Sequence, residues 1–198
     1  MRRLAWGAGL IGGFPPAAHA HLVNTGFGPY YDGLAHVLMA PADLLAVVAL
    51  GLLGGLNGVP QGRALFFLLP SGWLGGGAIG LAWPGIGLTP LFGALSLGVL
   101  GVLVALDRSV PRLPWLVLVA GVGLLYGYAN GSALGASGEG WLPLAGSATA
   151  VAVLAALLPA AVLSLHAQWA RIAVRVVGSW IVASSILMLG WIGSGQPL

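Results

Sequence analysis

The stretch YYDGLAHVLMAPADLLAVVAL, Tyr30 to Leu50, is mostly apolar, yet it carries Asp32, His36 and Asp43 within twelve residues. The whole chain has only four acidic residues and four histidines, so this threshold of a hydrophobic segment holds a large share of its ionisable groups. Whether the stretch is the polar edge of a soluble helix or the start of a membrane span decides the fold. Composition answers the question. The 198 residues are 59% hydrophobic and 6% charged, far from the roughly one-quarter charged share of an ordinary soluble domain. An all-α integral membrane protein is therefore expected.

The 34 glycines agree with that class, because membrane helices use glycine to bring backbones close together. With no cysteine, disulfides and thiolate metal ligands are excluded. A pI near 10.0 rests on seven arginines and no lysine, dispersed along the chain. They read as topology signals rather than as a nucleic-acid surface.

Outward from Tyr30 toward the N-terminus, residues 1–20 read as a secretory signal. Arg2 and Arg3 form the charged region, Leu4 to Phe14 a short apolar run, and Ala18-His19-Ala20 a small-x-small cleavage pattern. Cleavage would make His21 the mature N-terminus and residues 21–198 the membrane domain. The rival is an uncleaved first helix, but the run is short and glycine-rich for about 30 Å of hydrocarbon.

Toward the C-terminus, hydropathy and helix breakers predict six spans: Leu34 to Leu56, Ala64 to Trp83, Ile86 to Leu106, Trp115 to Leu134, Leu142 to Leu165 and Ile172 to Ile192. The short Trp83-Pro84-Gly85 link predicts a tight hairpin between the second and third. If both mature termini lie outside the cytoplasm, Arg63, Arg108, Arg112, Arg171 and Arg175 all fall inside, and Glu139 falls outside. This six-helix bundle obeys the positive-inside rule without exception and suits a bacterial inner membrane. Trp83, Trp115, Trp141 and Trp191 fall near span ends, where indole rings favour the interface.

On an unbroken helix Asp32, His36 and Asp43 project at about 0°, 40° and 20°, so they share one face. Asp32 and His36 are at a chelating i, i+4 spacing, but His36 and Asp43 are about 10 Å apart along the axis. Either Pro41 breaks the helix and brings Asp43 nearer, or the stripe is a series of sites along a path. A carboxylate at the centre of a membrane helix costs about 2.5–3.5 kcal/mol, so Asp43 needs a partner. One reading has Asp43 protonated or hydrogen-bonded across helices, with Asp32 capping an interfacial helix beside Tyr30 and Tyr31. The other has all three residues binding or relaying a cation or proton.

His21, once freed, offers an amine and an imidazole suited to copper or nickel; chance placement is its alternative. His166 stands beside Gln168 and Trp169 and reads as interfacial. In the fourth span, LLYGYANGSALGASGEG (Leu124 to Gly140) puts Tyr126 and Asn130 on one face among Gly127, Gly131 and Gly135. Helix packing with a hydrogen-bonding asparagine and a contribution to an ion site are both open there. The glycines of GWLGGGAIG in the second span read as packing, since a phosphate-binding loop would need a lysine.

The signal ending AHAH, the run DGLAHVLMAPADLLAVVALGLLGG and the glycine-rich YGYANGSALG together resemble the HupE/UreJ proteins. That resemblance implies a six-helix membrane protein associated with hydrogenase or urease maturation and acting as a nickel or cobalt permease. The family's first span carries a His-Pro-Leu-x-Gly-x-Asp-His pattern. His36 matches its first histidine, whereas Val37, Ala42 and Asp43 stand at the proline, aspartate and second histidine positions. In the fourth span the family's His-Gly pairs are replaced by Tyr126-Gly127 and Asn130-Gly131, and Glu139 is displaced toward the loop. Oxygen ligands thus replace imidazoles, in a divergent branch whose implied site is Asp32, His36 and Asp43, completed by Asn130.

These readings lead to an expected permease for a divalent transition-metal ion, nickel or cobalt foremost and copper as a further case, with no permanent cofactor. The expected partners are the lipid bilayer, the ion and metalloenzyme maturation proteins; nucleic acid is not among them, and an oligomer is open. A non-transporting metal chaperone or assembly subunit is the alternative. An enzyme is not expected, because no Ser/His or paired-His zinc constellation is present.

Overall fold

The computed structural model describes residues 24–85, 90–165 and 168–194. The expected signal peptide, His21 and His166 lie outside these described residues. Within them the chain forms seven helices and no strand: α1 (Pro29–Met39), α2 (Pro41–Leu56), α3 (Val59–Ala82), α4 (Pro90–Ala105), α5 (Arg112–Ala136), α6 (Trp141–Ser164) and α7 (Gln168–Gly193). Helices α3, α5, α6 and α7 are each long and apolar enough to cross a bilayer. Helix α4 is apolar but shorter over its described length, and α1 and α2 together would make one span bent by 72°. Large apolar side chains face outward and are mostly exposed, among them Phe67, Trp180 and Leu187. Such a surface suits hydrocarbon and would be a liability in water. The molecule is a multi-pass membrane protein.

The sequence-predicted first span is therefore two helices. Ala40 precedes Pro41, and the proline ring disfavours helical backbone at the residue before it. Ala40 accordingly adopts φ −84° and ψ 104°, ending α1, while Pro41 starts α2 at the position where its missing N–H costs nothing. The break sits between His36 and Asp43.

The helices pack in a definite order. The most extensive contact is α3 on α5, followed by α4 on α7 and α1 on α6; α2 fits between α6, α4 and α3. The predicted hairpin of the second and third spans does not form as a packed pair, because α4 leaves α3 and lies on α7 and α2 instead. Glycine sets the closest approach. A Cβ on Gly76, Gly80, Gly127 or Gly131 would run into the backbone of the facing helix, so α3 and α5 touch main chain to main chain. Gly33 against Pro143, and Gly146 against the Tyr30 carbonyl, do the same for α1 and α6. The glycine runs thus pack helices, as the sequence suggests.

The arginine-bearing links gather at one end. The Asn57 side chain accepts from the Val110 amide (2.6 Å) and donates to the Arg108 carbonyl (3.2 Å), joining the link after α2 to the link before α5. Arg171 forms a bidentate pair with Asp107 (2.8 Å at its shortest), and Arg175 donates to the Ala105 carbonyl (2.9 Å). Trp83, Trp141 and Trp191 are exposed at helix ends as expected of interfacial indoles. Trp115 departs from that expectation: it is fully buried, and its Nε1 donates to the Gln61 carbonyl (3.1 Å). Its ring fills space beside Gly54, so packing decides its place.

Candidate functional site

The break after Ala40 separates the polar stripe into two environments. Asp32 stays in the first turn of α1, ahead of the apolar run, and accepts from the amide and hydroxyl of Thr25, both at 2.6 Å. These bonds tie the lead-in segment to the helix. Asp32 is thus engaged locally. It does not cap the α1 N-terminus, where Gly28 stands without a side-chain cap bond.

Asp43 belongs to the other side of the break, in the first turn of α2. Its carboxylate accepts from Asn130 Nδ2 at 2.9 Å, across 87 residues of sequence. The same Nδ2 also donates to the Tyr126 carbonyl one turn back along α5 (3.0 Å), so the amide is held through its nitrogen by two bonds. Asn130 is buried and Asp43 half-buried, and a donor such as this amide is what a carboxylate among apolar helices demands. His36, half-buried near the end of α1, lies within electrostatic reach of Asp43. The bend therefore brings together Asp43, Asn130 and the neighbourhood of His36, and leaves Asp32 aside.

No group of three or more His, Asp or Glu side chains is placed to hold one ion among the described residues. The stripe is thus spread along the chain, with an acidic position paired to an amide rather than to an imidazole. The inner face of α5 adds a group that hydropathy alone misses. The Tyr126 hydroxyl shares a 2.7 Å hydrogen bond with the Ser96 hydroxyl of α4. Tyr126 itself stacks on Trp73 with ring centroids 6.4 Å apart, and Trp73 Nε1 donates to Ser147 on α6 (3.1 Å). Ser96 is a single serine in an apolar helix, where most serines bond back to their own carbonyls; only the spatial neighbour distinguishes it.

Every buried side-chain polar atom among the described residues has a hydrogen-bond partner. In a membrane that satisfaction is required, since lipid supplies none. The arrangement can hold one carboxylate inside an apolar bundle, present an amide that donates or accepts according to its rotation, and position a histidine nearby.

Similarity to known proteins bears on this geometry. No curated protein and no solved structure is similar enough to this chain to be matched. A family model described as HupE / UreJ protein matches residues 10–188, which takes in all of α1 to α6, most of α7 and every residue of the polar cluster. With nearly the whole length matched, and with α1 and α5 carrying the motifs that resemble it, the chain belongs to the HupE / UreJ family.

Proposed function

We propose that this protein is an inner-membrane permease for a divalent transition-metal ion, nickel or cobalt, which serves the maturation of a metalloenzyme such as a hydrogenase or urease, and that it catalyses no reaction. The observation that carries the reading is the hydrogen bond between Asp43 and Asn130 beside the broken helix α1–α2. A paired carboxylate among apolar helices marks an ion route far more often than a packing device. Helices interrupted at membrane depth recur where transporters bind their ions.

Six crossings follow if α1 with α2 forms one span and α4 another, after removal of residues 1–20. The end tied together by Asn57, Gln61 and the Asp107–Arg171 pair then faces the cytoplasm, since it carries the arginines. An incoming ion is met by Asp43, whose charge offsets the loss of its water. Rotation of the Asn130 amide would replace its N–H with an oxygen ligand, and His36 supplies the nitrogen that nickel and cobalt favour. Asp32 and a freed His21 belong to the outer entrance. No ATP-binding motif is present in the sequence, so the membrane potential would drive uptake, at about 2.3 kcal/mol per charge per 100 mV.

The test is elemental analysis of cells expressing wild type, Asp43→Asn or His36→Ala at matched membrane levels, against cells without the protein. Selective accumulation of nickel or cobalt that both substitutions abolish is the expected result. Equal metal content in wild-type and empty cells would sink the permease and leave the assembly subunit, which a pull-down of maturation proteins would then examine.

A further inference from the structure

Helix α5 has two different neighbours on its two sides. One side lies on α3 main chain to main chain, while toward α2 and α4 it has no comparable packing. Across that second side run the two side-chain bonds Asn130–Asp43 and Tyr126–Ser96. Tyr126 and Asn130 are one turn apart on the same face, so the two bonds form successive rungs about 6 Å apart along α5. The helix starts at Arg112, in the arginine-bearing end, so the Tyr126 rung is the one nearer that end.

We infer that the Tyr126–Ser96 hydrogen bond is the inner closure of the path that Asp43 and Asn130 begin, and that it opens by parting α4 from α5. The inference rests on the permease reading and names the residues that would control release. Three features of the site carry it. First, the Tyr126 ring is held by Trp73, itself fixed by Ser147, so the hydroxyl reaches α4 from a rigid base. Second, Ser96 stands on a helix whose main packing is on α7, so it can withdraw with α4 and α7 together. Third, the rung is a single bond between uncharged hydroxyls, which parts without leaving a charge behind. The Asp43–Asn130 rung involves a carboxylate and is suited to holding an ion; the Tyr126–Ser96 rung is suited to letting one pass.

The experiment uses the purified full chain in liposomes loaded with a metal-sensitive dye, with nickel, cobalt, manganese and magnesium as the probes. Wild type, Asp43→Asn, Tyr126→Phe and Ser96→Ala are compared. Loss of the closing bond should raise influx by about 2- to 10-fold, the equivalent of one hydrogen bond, and should admit manganese or magnesium that wild type excludes. Because the chain has no cysteine, a Ser96→Cys variant can be labelled without background. A small water-soluble thiol reagent should reach position 96 faster when Tyr126→Phe is also present. If Tyr126→Phe and Ser96→Ala transport at the wild-type rate or below, with wild-type selectivity, while Asp43→Asn is inactive, the closure is refuted and the permease stands. If wild type moves no metal, both are refuted together.

Discussion

The two sides of α5 solve opposite problems with residues one to three positions apart. Toward α3, Gly123, Gly127 and Gly131 bring main chain against main chain, with no room for a single methyl group. Toward α2 and α4, Tyr126 and Asn130 reach across to a serine and a carboxylate. In a membrane the first kind of contact derives its stability from van der Waals packing, summed over the length of the seam. The second depends on a few polar atoms that lipid cannot satisfy. The comparison teaches that one side can be rigid because the other is not required to hold the helices together. A bundle built this way can change one face of a helix while keeping the other.

The largest effect should come from attacking the dry side. A Gly127→Ala substitution puts a methyl group into the Trp73 main chain, and the seam can admit it only by moving apart. The expected cost is about 3 kcal/mol or more, seen as loss of monodisperse protein or a sharply lower Tm in detergent. A well-folded Gly127→Ala protein with unchanged Tm would mean that α3 and α5 are not in this register.

The polar side should be next. Asn130→Ala leaves Asp43 without its partner and should cost about 1–3 kcal/mol, measured by thermal unfolding. Asp43→Asn keeps a side chain able to accept from Asn130 and should melt close to wild type while losing metal accumulation. If instead Asp43→Asn unfolds as readily as Asn130→Ala, the carboxylate is structural and the contrast between the two sides fails.

Trp73 sits between the two sides, stacked on Tyr126 and donating to Ser147. Trp73→Phe removes the donor and some of the stacking surface, at an expected cost of about 1–2 kcal/mol. A neutral result would show that Tyr126 is held by something other than this ring. The smallest effect belongs to Gly121, on the same helix but with open space where a Cβ would go. Gly121→Ala should lie within about 0.5 kcal/mol of wild type, and it is the control that separates close approach from glycine content.

Much of this was legible in the chain as written. The hydrophobic runs, the placement of Arg63, Arg108, Arg112, Arg171 and Arg175, and the pairing of Tyr126 with Asn130 on one face all follow from counting residues along helices. The likeness of α1 and α5 to the HupE / UreJ pattern was also legible, and the match over residues 10–188 bears it out. Other features were not. A six-span count assumes that each apolar run is one helix, whereas the run from Leu34 to Leu56 is broken at Ala40, and α4 is shorter over its described length than a full span. Trp115 looked interfacial by its place near a span end, but it is buried, because position along a helix does not say which way the side chain turns.

Local chemistry is enough to say that this chain belongs in a membrane and must satisfy Asp43 from within. Hydrocarbon tolerates neither many charges nor one unpaired carboxylate, and both statements concern a residue and its solvent. Partner choice is a different matter. That Asp43 meets Asn130 and that Ser96 finds Tyr126 depend on a 72° bend and on which helices glycine allows to touch. Those distances are set by the packing of seven helices at once, and no spacing along the chain contains them.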